Sequence, residues 1–590
     1  MASWYNDDDY EFSAALDIGT TFSGYAYSFK GRENDIAGCR NWGANLGVSN
    51  HKTPTAVLVN KDGKFEAFGY EAQEKYKRLE GNEVKMYSLF ERFKMQLMDT
   101  EGLDRESVSF ATDGKQLPLM EIFTMTFRYL KDRVLKSVEM SLGEPVDLDK
   151  IRWVITVPAI WSDAAKQFMR EAAFKAGVRN INKPMQLIIA LEPEVAGLYA
   201  ASKDMAHFAS TSRSSTLITG VHYIVMDCGG GTIDATAYKI ESDQTLKQIY
   251  EASGKDLGGI KVDEAFVELL EEIVGKPVVD AFRQECPIGW LMLMSTFDHK
   301  KKTIQNQENE SVNIEIPKTM YEIAKRIRGI ELIDIINQSG IVGVRCNTLS
   351  LVISHNIIQR IFRNPVRGII DHMSILLRKK ALENVSVILM VGGFSESPIL
   401  QVAVKEAFGN RVKVLIPGNV SLSVLYGAVA FGHNPNIVTT RIASKTYGEE
   451  ICEAYDPIKH GRDKRRVKII ESVEHQTKVM RVFVTKGEAI NRGQVKPFKA
   501  NPHTVYQREA LHALYSTDKK HVEYIDDADV HLIGTWKTPL EGQGPGREVE
   551  YRVFFGETEL VIQTRQIGTE DWVQHSFNFL SSKDELDPPK

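Results

Sequence analysis

Cysteine is scarce in this chain. The five cysteines in 590 residues, Cys39, Cys228, Cys286, Cys346 and Cys452, are scattered, odd in number and never spaced Cys-x-x-Cys. That excludes a dense disulfide framework and offers no zinc-site spacing. A reducing compartment, the cytoplasm or nucleus, is the expected setting. Long apolar runs are also missing: none approaches the roughly 20 residues that cross a bilayer, so no membrane span is expected. The N-terminal MASWYNDDDYEF is acidic and lacks the apolar centre of a secretory signal. KDEL at Lys583–Leu586 is followed by four more residues and therefore does not read as a retention signal. Neither sign of charge dominates. The balance is 73 basic to 78 acidic residues, net −5, which leaves no global footprint for nucleic acid or an anionic membrane. A chain of this length is expected to form two or more domains.

The most informative stretch is Tyr223–Asp234, YIVMDCGGGTID. Tyr223–Met226 has the composition of a buried strand ending on Asp227. Gly229, Gly230 and Gly231 turn the chain, and Thr232–Ile240 alternates as a returning strand. Backbone N–H groups exposed in such a turn can cradle phosphate oxygens. Asp227 and Asp234 bracket the turn, and carboxylates beside phosphates suit a hydrated Mg²⁺. Taken alone, the three glycines fit a plain glycine-rich hairpin equally well. A second copy shifts the balance: Ala14–Thr21 (AALDIGTT) also ends a strand on an aspartate, Asp17, turns through Gly19, Thr20 and Thr21, and returns as FSGYAYSF. Two such hairpins facing each other would clamp a triphosphate from both sides.

Along the rest of the chain, residues 1–10 read as a loose tail. Lys52–Asn60 reads as a strand, Tyr70–Leu97 as a segment of helical spacing that contains Lys94, and Met120–Leu142 as an amphipathic helix. Ile151–Pro158 is a buried strand, followed by a helix with Ser162 as N-cap. Glu192 closes the strand of LIIALEPEVAGLY, a position that often faces a ligand in α/β domains. Residues 204–220 read as a polar loop. Gly258 and Gly259 open a helix, another place where backbone approaches phosphate. Phe297–Ile304 (FDHKKKTI) is most simply a solvated basic helix face. Gly392 and Gly393 follow a buried strand, and Ser421–Phe431 is a closing helix. Beyond about Pro435 the texture becomes period-two segments separated by turns, as in an all-β domain, with Asp571–Leu580 as the last strand.

DIGTT, VITVPAIWSDAAKQ, LEPEVAG, DCGGGTID, GKDLGG and VGGFSESP occur in an order that resembles the ATPase domain of the seventy-kilodalton heat-shock proteins, within the actin–hexokinase–chaperone superfamily. The variants VPAIWSDAAKQFMREAAFKAG, LEPEVAG and GGFSESP resemble those of its divergent branch, heat shock 70 kDa protein 12. The resemblance covers about residues 12–435 strongly and the remainder weakly. It implies an α/β fold: a two-lobed, actin-like domain built from duplicated ribonuclease H-like halves over residues 12–437. A smaller β-rich domain over 441–580, similar to a substrate-binding domain without its lid, would follow a tail of residues 1–11.

The resemblance also implies roles. Thr20, Thr21 and Phe22 match the first phosphate loop, with Asp17 as an aspartate that holds metal through water. Lys94 matches the lysine that positions the attacking water, and Glu192 the glutamate near the metal. Asp227, Gly229, Gly230, Gly231, Thr232 and Asp234 match the second loop, and Gly258 and Gly259 the turn after it. Asp298, Lys301 and Lys302 resemble the helix that holds adenosine, and Gly392 and Gly393 the last nucleotide turn. ATP or ADP with Mg²⁺ would be the cofactors; client proteins and co-chaperones would be the partners, in a stress-response setting. Two departures stand out. Phe394 and Glu396 occupy the last turn where the family has serine and arginine, so Phe394 is the expected partner of the base. The acidic, leucine-rich linker is missing near Ile437–Lys445. The expected function is slow ATP hydrolysis in a chaperone-like protein. The alternatives are a nucleotide-sensing interaction protein with little turnover, a small-molecule kinase, or an actin-like filament protein.

Overall fold

The computed structural model describes residues 10–43, 50–98, 102–180, 183–211, 217–305, 311–347, 350–461, 465–470, 472–502, 506–544, 546–554, 561–575, 577 and 579–580. The expected N-terminal tail, apart from residue 10, and the KDEL stretch lie outside them. Two compact units emerge. The first comprises residues 1–161, 168–237 and 253–435; the second comprises 162–167, 238–252 and 436–590.

The first unit contains the same sheet twice. In one copy the strand Phe12–Ile18 lies between its hairpin partner Phe22–Phe29 and the parallel strand Ile151–Val157, with Leu187–Leu191 parallel beyond that. In the other, His222–Cys228 lies between Ile233–Ile240 and the parallel strand Val385–Val391, with Lys413–Leu415 outermost. Central strands of this kind are apolar on both faces, because helices cover both sides of a parallel sheet. Every residue of Phe12–Ile18 and of Ile151–Val157 is buried accordingly. The repeat carries Asp17 and Asp227 to equivalent positions, each one residue before its strand ends. Both aspartates therefore lie inside their strands rather than after them.

Local departures from the expected elements have identifiable causes. Tyr70–Leu97 is not one helical segment. A helix Gly69–Lys77 is followed by a 3₁₀ turn, a strand Tyr87–Glu91 and a further 3₁₀ segment, Phe93–Met98, that holds Lys94. Leu89 and Phe90 pair with the strand Ala56–Asn60, and that tertiary pairing overrides local spacing. The start of the presumed loop at 204–220 is helical, since Glu192–Thr211 is one helix. Its run of alanines favours helix over the serine and threonine content that suggested a loop. Ser162 does act as an N-cap: its Oγ accepts from the Ala165 N–H at 3.2 Å, and the helix runs from Asp163 to Lys175.

The second unit is built mainly of strands. One antiparallel sheet runs in the order Val467–Ile470, Val473–Val484, Thr446–Ala454, Glu509–Thr517 and Val530–Pro539. Another pairs Val495–Ala500, Val549–Phe554, Val561–Gln566 and Val573–His575. Phe483, Leu514, Trp536, Tyr551 and Ile562 share their core. Of the expected last strand Asp571–Leu580, only Val573–His575 forms among the described residues. The segment expected to lack the linker carries a strand, Val438–Ile442, whose Val438 lies parallel to Leu246. Among the described residues beyond 437, the only α-helix is the single turn Pro457–His460.

Candidate functional site

A cleft of about 680 Å³ opens in the first unit between the two hairpins. The hairpins come close enough to touch. A Cβ placed on Gly230 would lie 2.6 Å from Thr21 Oγ1, and one on Gly231 would lie 2.8 Å from Thr20 Oγ1. Gly258 closes on the second loop from behind: its N–H donates to the Gly231 carbonyl at 2.9 Å, and a Cβ there would lie 2.4 Å from the Gly231 carbonyl carbon. Gly392 has φ of +85°, and a Cβ on it would sit 2.2 Å from Asp227 Oδ1. Glycine is required at both, because backbone packs where a side chain would go.

Of the residues singled out in the sequence, Asp17, Gly19, Thr20, Thr21, Phe22, Lys94, Glu192, Asp227, Gly229, Gly230, Gly231, Thr232, Gly259, Asp298, Lys301, Lys302, Gly392, Gly393 and Phe394 line this cleft. Gly258 and Asp234 stand behind its wall. Asp234 is buried and accepts from Thr232 Oγ1 at 2.9 Å and from the Ile160 N–H at 3.3 Å. The basic turn Phe297–Ile304 is not simply a solvated face. Lys301 is buried and bridges Asp263 at 2.5 Å and Asp298 at 2.9 Å, whereas His299 and Lys300 are exposed. Lys302 Nζ lies 4.0 Å above the Phe22 ring and 3.0 Å from Asp298. Burial would raise the Asp298 carboxyl, but the Lys301 and Lys302 charges outweigh it and hold that group well below the ordinary value. Phe394 is largely buried, 6% exposed, with Phe362 at 6.4 Å between ring centroids.

The floor of the cleft carries three carboxylates, Asp17, Glu192 and Asp227, and two ammonium groups, Lys52 and Lys94. Lys94 Nζ donates to Glu192 Oε1 at 2.7 Å and lies 5.2 Å over the Trp161 ring. Lys52 Nζ donates to Asp17 Oδ2 at 2.6 Å, and Thr156 Oγ1 donates to Asp17 Oδ1 at 2.8 Å. Burial alone would raise Asp17. The Lys52 and Lys94 charges and the hydrogen bonds from Lys52 and Thr156 reverse that, holding Asp17 below the usual carboxylate value. Asp227 goes the other way. Burial and the neighbouring Glu192, Asp234 and Asp17 charges push its proton affinity well up. Its Oδ2 is buried and has no hydrogen-bond partner among the described residues. A buried, unpaired carboxylate oxygen is costly unless it is protonated or faces a cation. Among the described residues, no three carboxylate, thiol or imidazole groups are grouped so as to hold a metal ion. The unpartnered Asp227 Oδ2 fits a cation held through water.

Asp234 supplies a test. Burial first, then the Glu192 charge, raise its carboxyl to about 7. Protonated Asp234 thus favours the nucleotide-free fold. That contribution is full below the ordinary value of 3.8 and is lost as pH rises to about 7. At 1.36 kcal/mol per unit it amounts to at most about 4 kcal/mol. Asp234→Asn is therefore expected to raise the melting temperature at pH 8 and to leave it nearly unchanged at pH 4. Equal shifts at both pH values would remove Asp234 from this role.

Lys52, Arg92 and Asp263 also line the cleft, and sequence reasoning missed all three. Arg92 donates to Asp263 at 3.1 Å.

Comparison with known proteins agrees with this architecture. The family model described as Hsp70 protein matches residues 70–432. Heat shock 70 kDa protein 12A of Mus musculus is 32% identical over 96% of this chain and 91% of its own length. Heat shock 70 kDa protein 12B of Homo sapiens is 31% identical over the same shares. Chaperone protein DnaK of Metamycoplasma hominis is 23% identical over 74% of this chain and 62% of its own. The paired glycine hairpins, the duplicated sheets and this likeness together place the chain in the Hsp70 family, with its actin-like ATPase fold and a β-rich C-terminal region. Within that family it belongs to the branch of heat shock 70 kDa proteins 12A and 12B. Family members bind ATP or ADP. Among the described residues no helix is long and apolar enough to cross a membrane.

Proposed function

We propose that the cleft binds ATP and ADP and hydrolyses ATP slowly, with closure of the two halves as the output of a chaperone-like protein. The observation that carries this reading is the pair of touching glycine hairpins, each following an aspartate, on the floor of one cleft. Backbone N–H groups of Thr20, Thr21, Gly230 and Gly231 would receive the phosphates and stabilise charge on the transferred group, while those of Gly19 and Gly229 close their own turns by donating to the Phe22 and Thr232 carbonyls; positioning and charge are most of what such chemistry asks of a protein. Asp227, with Glu192 beside it, would hold a hydrated Mg²⁺ by way of water, while Asp17, the other aspartate expected there, is engaged by Lys52 and Thr156. Bound there, that ion would supply charge neutralisation between phosphate oxygens. Lys94, fixed against Glu192, would orient the attacking water, and Asp234 would steady the loop that carries Thr232. Asp298, Lys301 and Lys302 would hold the nucleoside, with Phe394 against the base.

A second reading keeps binding and removes turnover: a nucleotide-sensing interaction protein. It draws support from Glu396, which lines the cleft where a cation would be expected. Single-turnover hydrolysis measured beside ADP and ATP affinity separates the two. Tight binding with chemistry faster than the uncatalysed rate supports the ATPase; tight binding alone supports the sensor.

The base contact has its own test. Aromatic stacking on a base contributes roughly 1–3 kcal/mol. Phe394→Ala is therefore expected to weaken ATP at least fivefold more than inorganic triphosphate. Equal losses would take Phe394 out of the base pocket. Client proteins, co-chaperones and a cytoplasmic or nuclear setting belong to the same proposal. The β-rich region, read as having no lid, would hold an extended segment only weakly.

A further inference from the structure

Lys52 belongs to no motif, yet it lines the cleft beside Asp17. It immediately precedes the strand Thr53–Pro54, which pairs with the return strand of the first hairpin, Thr53 opposite Ser23 and Pro54 opposite Phe22. That register points the Lys52 side chain at the position where Asp17 faces Gly24 across the hairpin. Gly24 makes the room: a Cβ on it would lie 3.1 Å from Lys52 Cγ. At the other end of the approach, Asn50 Oδ1 accepts from the backbone N–H of His51 at 2.8 Å and of Lys52 at 3.5 Å, and Asn50 Nδ2 donates to Tyr70 Oη at 3.2 Å. The lysine is held along its backbone and given a slot for its stem. Its ammonium group ends on Asp17 Oδ2 with only 14% of the side chain exposed.

The consequence is an asymmetry between the two loop aspartates. Both Asp17 oxygens already accept from the chain's own donors, Lys52 and Thr156. Among the described residues, Asp227 keeps one buried oxygen unpaired. A cation entering the cleft therefore meets a free carboxylate on one side and a neutralised one on the other. We propose that Lys52 is a built-in counter-ion at the first phosphate loop, which stands in for divalent metal on Asp17 and lets this chain hold nucleotide phosphates with little dependence on Mg²⁺. Lys52 lies in the same cleft as Thr20 and Thr21 of the first loop, so its charge serves Asp17 while the cleft is empty and the phosphates once they arrive. Lysine suits this task because it is a compact charge on a flexible stem. The inference rests on the nucleotide reading above.

The experiment measures ADP affinity by calorimetry in excess Mg²⁺ and in excess EDTA, and takes the ratio of the two dissociation constants. For the wild-type chain that ratio is expected to stay below ten; a wild-type ratio above ten overturns the proposal without any variant. Lys52→Met frees Asp17 for the metal and leaves its charge facing the phosphates when metal is absent. The ratio in K52M is expected to rise at least tenfold above wild type, and K52R, which keeps the charge, is expected to remain within threefold of it. A K52M ratio within threefold of wild type, in protein whose nucleotide-free melting curve shows it folded, overturns the counter-ion role. If the wild-type chain binds ADP in neither buffer, the nucleotide reading itself fails, an outcome distinct from both.

Discussion

Gly392→Ala is expected to lower ADP and ATP affinity at least a hundredfold. Gly392 combines two demands that no other residue meets. Its φ of +85° lies in the left-handed region, and its missing Cβ leaves the space in which Asp227 Oδ1 sits, 2.2 Å from where that carbon would be. The new methyl has no flexible neighbour to push aside, since the Cys228 carbonyl oxygen stands 2.5 Å from it on the other side. Either the strand Val385–Val391 or the second phosphate loop must move, and the carboxylate that is free to face a cation moves with it. A hundredfold loss corresponds to about 2.7 kcal/mol, at the upper end of the roughly 1–3 kcal/mol that strained backbone costs at one position. Gly393, where a Cβ meets nothing within 4 Å, is the control. Gly393→Ala is expected to change affinity less than fivefold. Titration calorimetry on both variants checks the pair, and similar losses at the two positions would contradict the packing argument.

Lys94→Met is expected to be the most damaging single change to stability. Lys94 is 4% exposed at its side chain, its partner Glu192 14%, and they meet at 2.7 Å. Removing one member of a buried ion pair strands the other, at a cost of about 3–5 kcal/mol. Burial already raises the Glu192 carboxyl, and Lys94 is the main influence opposing it. Without the lysine, Glu192 takes up a proton at higher pH. The loss should therefore be largest at pH 8 and shrink towards pH 5. Combining Lys94→Met with Glu192→Gln restores an uncharged pair and is expected to recover most of the stability while hydrolysis stays lost. Denaturant unfolding at the two pH values and single-turnover kinetics on the double variant measure the two halves separately. Recovery of hydrolysis together with stability would show that Lys94 is structural only.

Some of this could be read from the chain and some could not, for physical reasons. The two glycine hairpins were legible because they require residue types at fixed spacing: an aspartate at the end of an apolar strand, then glycine or threonine turns. Both copies of that pattern lie on equivalent strands of the two sheets. Local spacing failed over Tyr70–Leu97, where pairing with Ala56–Asn60 makes Tyr87–Glu91 a strand. Asp263 left a trace that could have been used. It sits among Ile260, Val262, Phe266 and Leu270, on the buried stripe of the helix Ile260–Val274. A charge at a core position of an amphipathic helix asks for a partner, and Lys301 and Arg92 supply it. Lys52 left none. One lysine before a Thr-Pro pair is unremarkable until the register of a non-local strand pairing points it at Asp17. The basic turn at Phe297–Ile304 misled for a related reason: composition cannot distinguish the exposed Lys300 from the buried Lys301 next to it.

The central claim is that two glycine hairpins form one nucleotide site, and equilibrium binding of ADP to the purified full chain tests it most directly. The account predicts a single saturable site by titration calorimetry, with micromolar or tighter affinity, weakened at least a hundredfold by Gly392→Ala and less than fivefold by Gly393→Ala. No heat of binding and no thermal stabilisation at millimolar ADP, in either Mg²⁺ or EDTA, would contradict it.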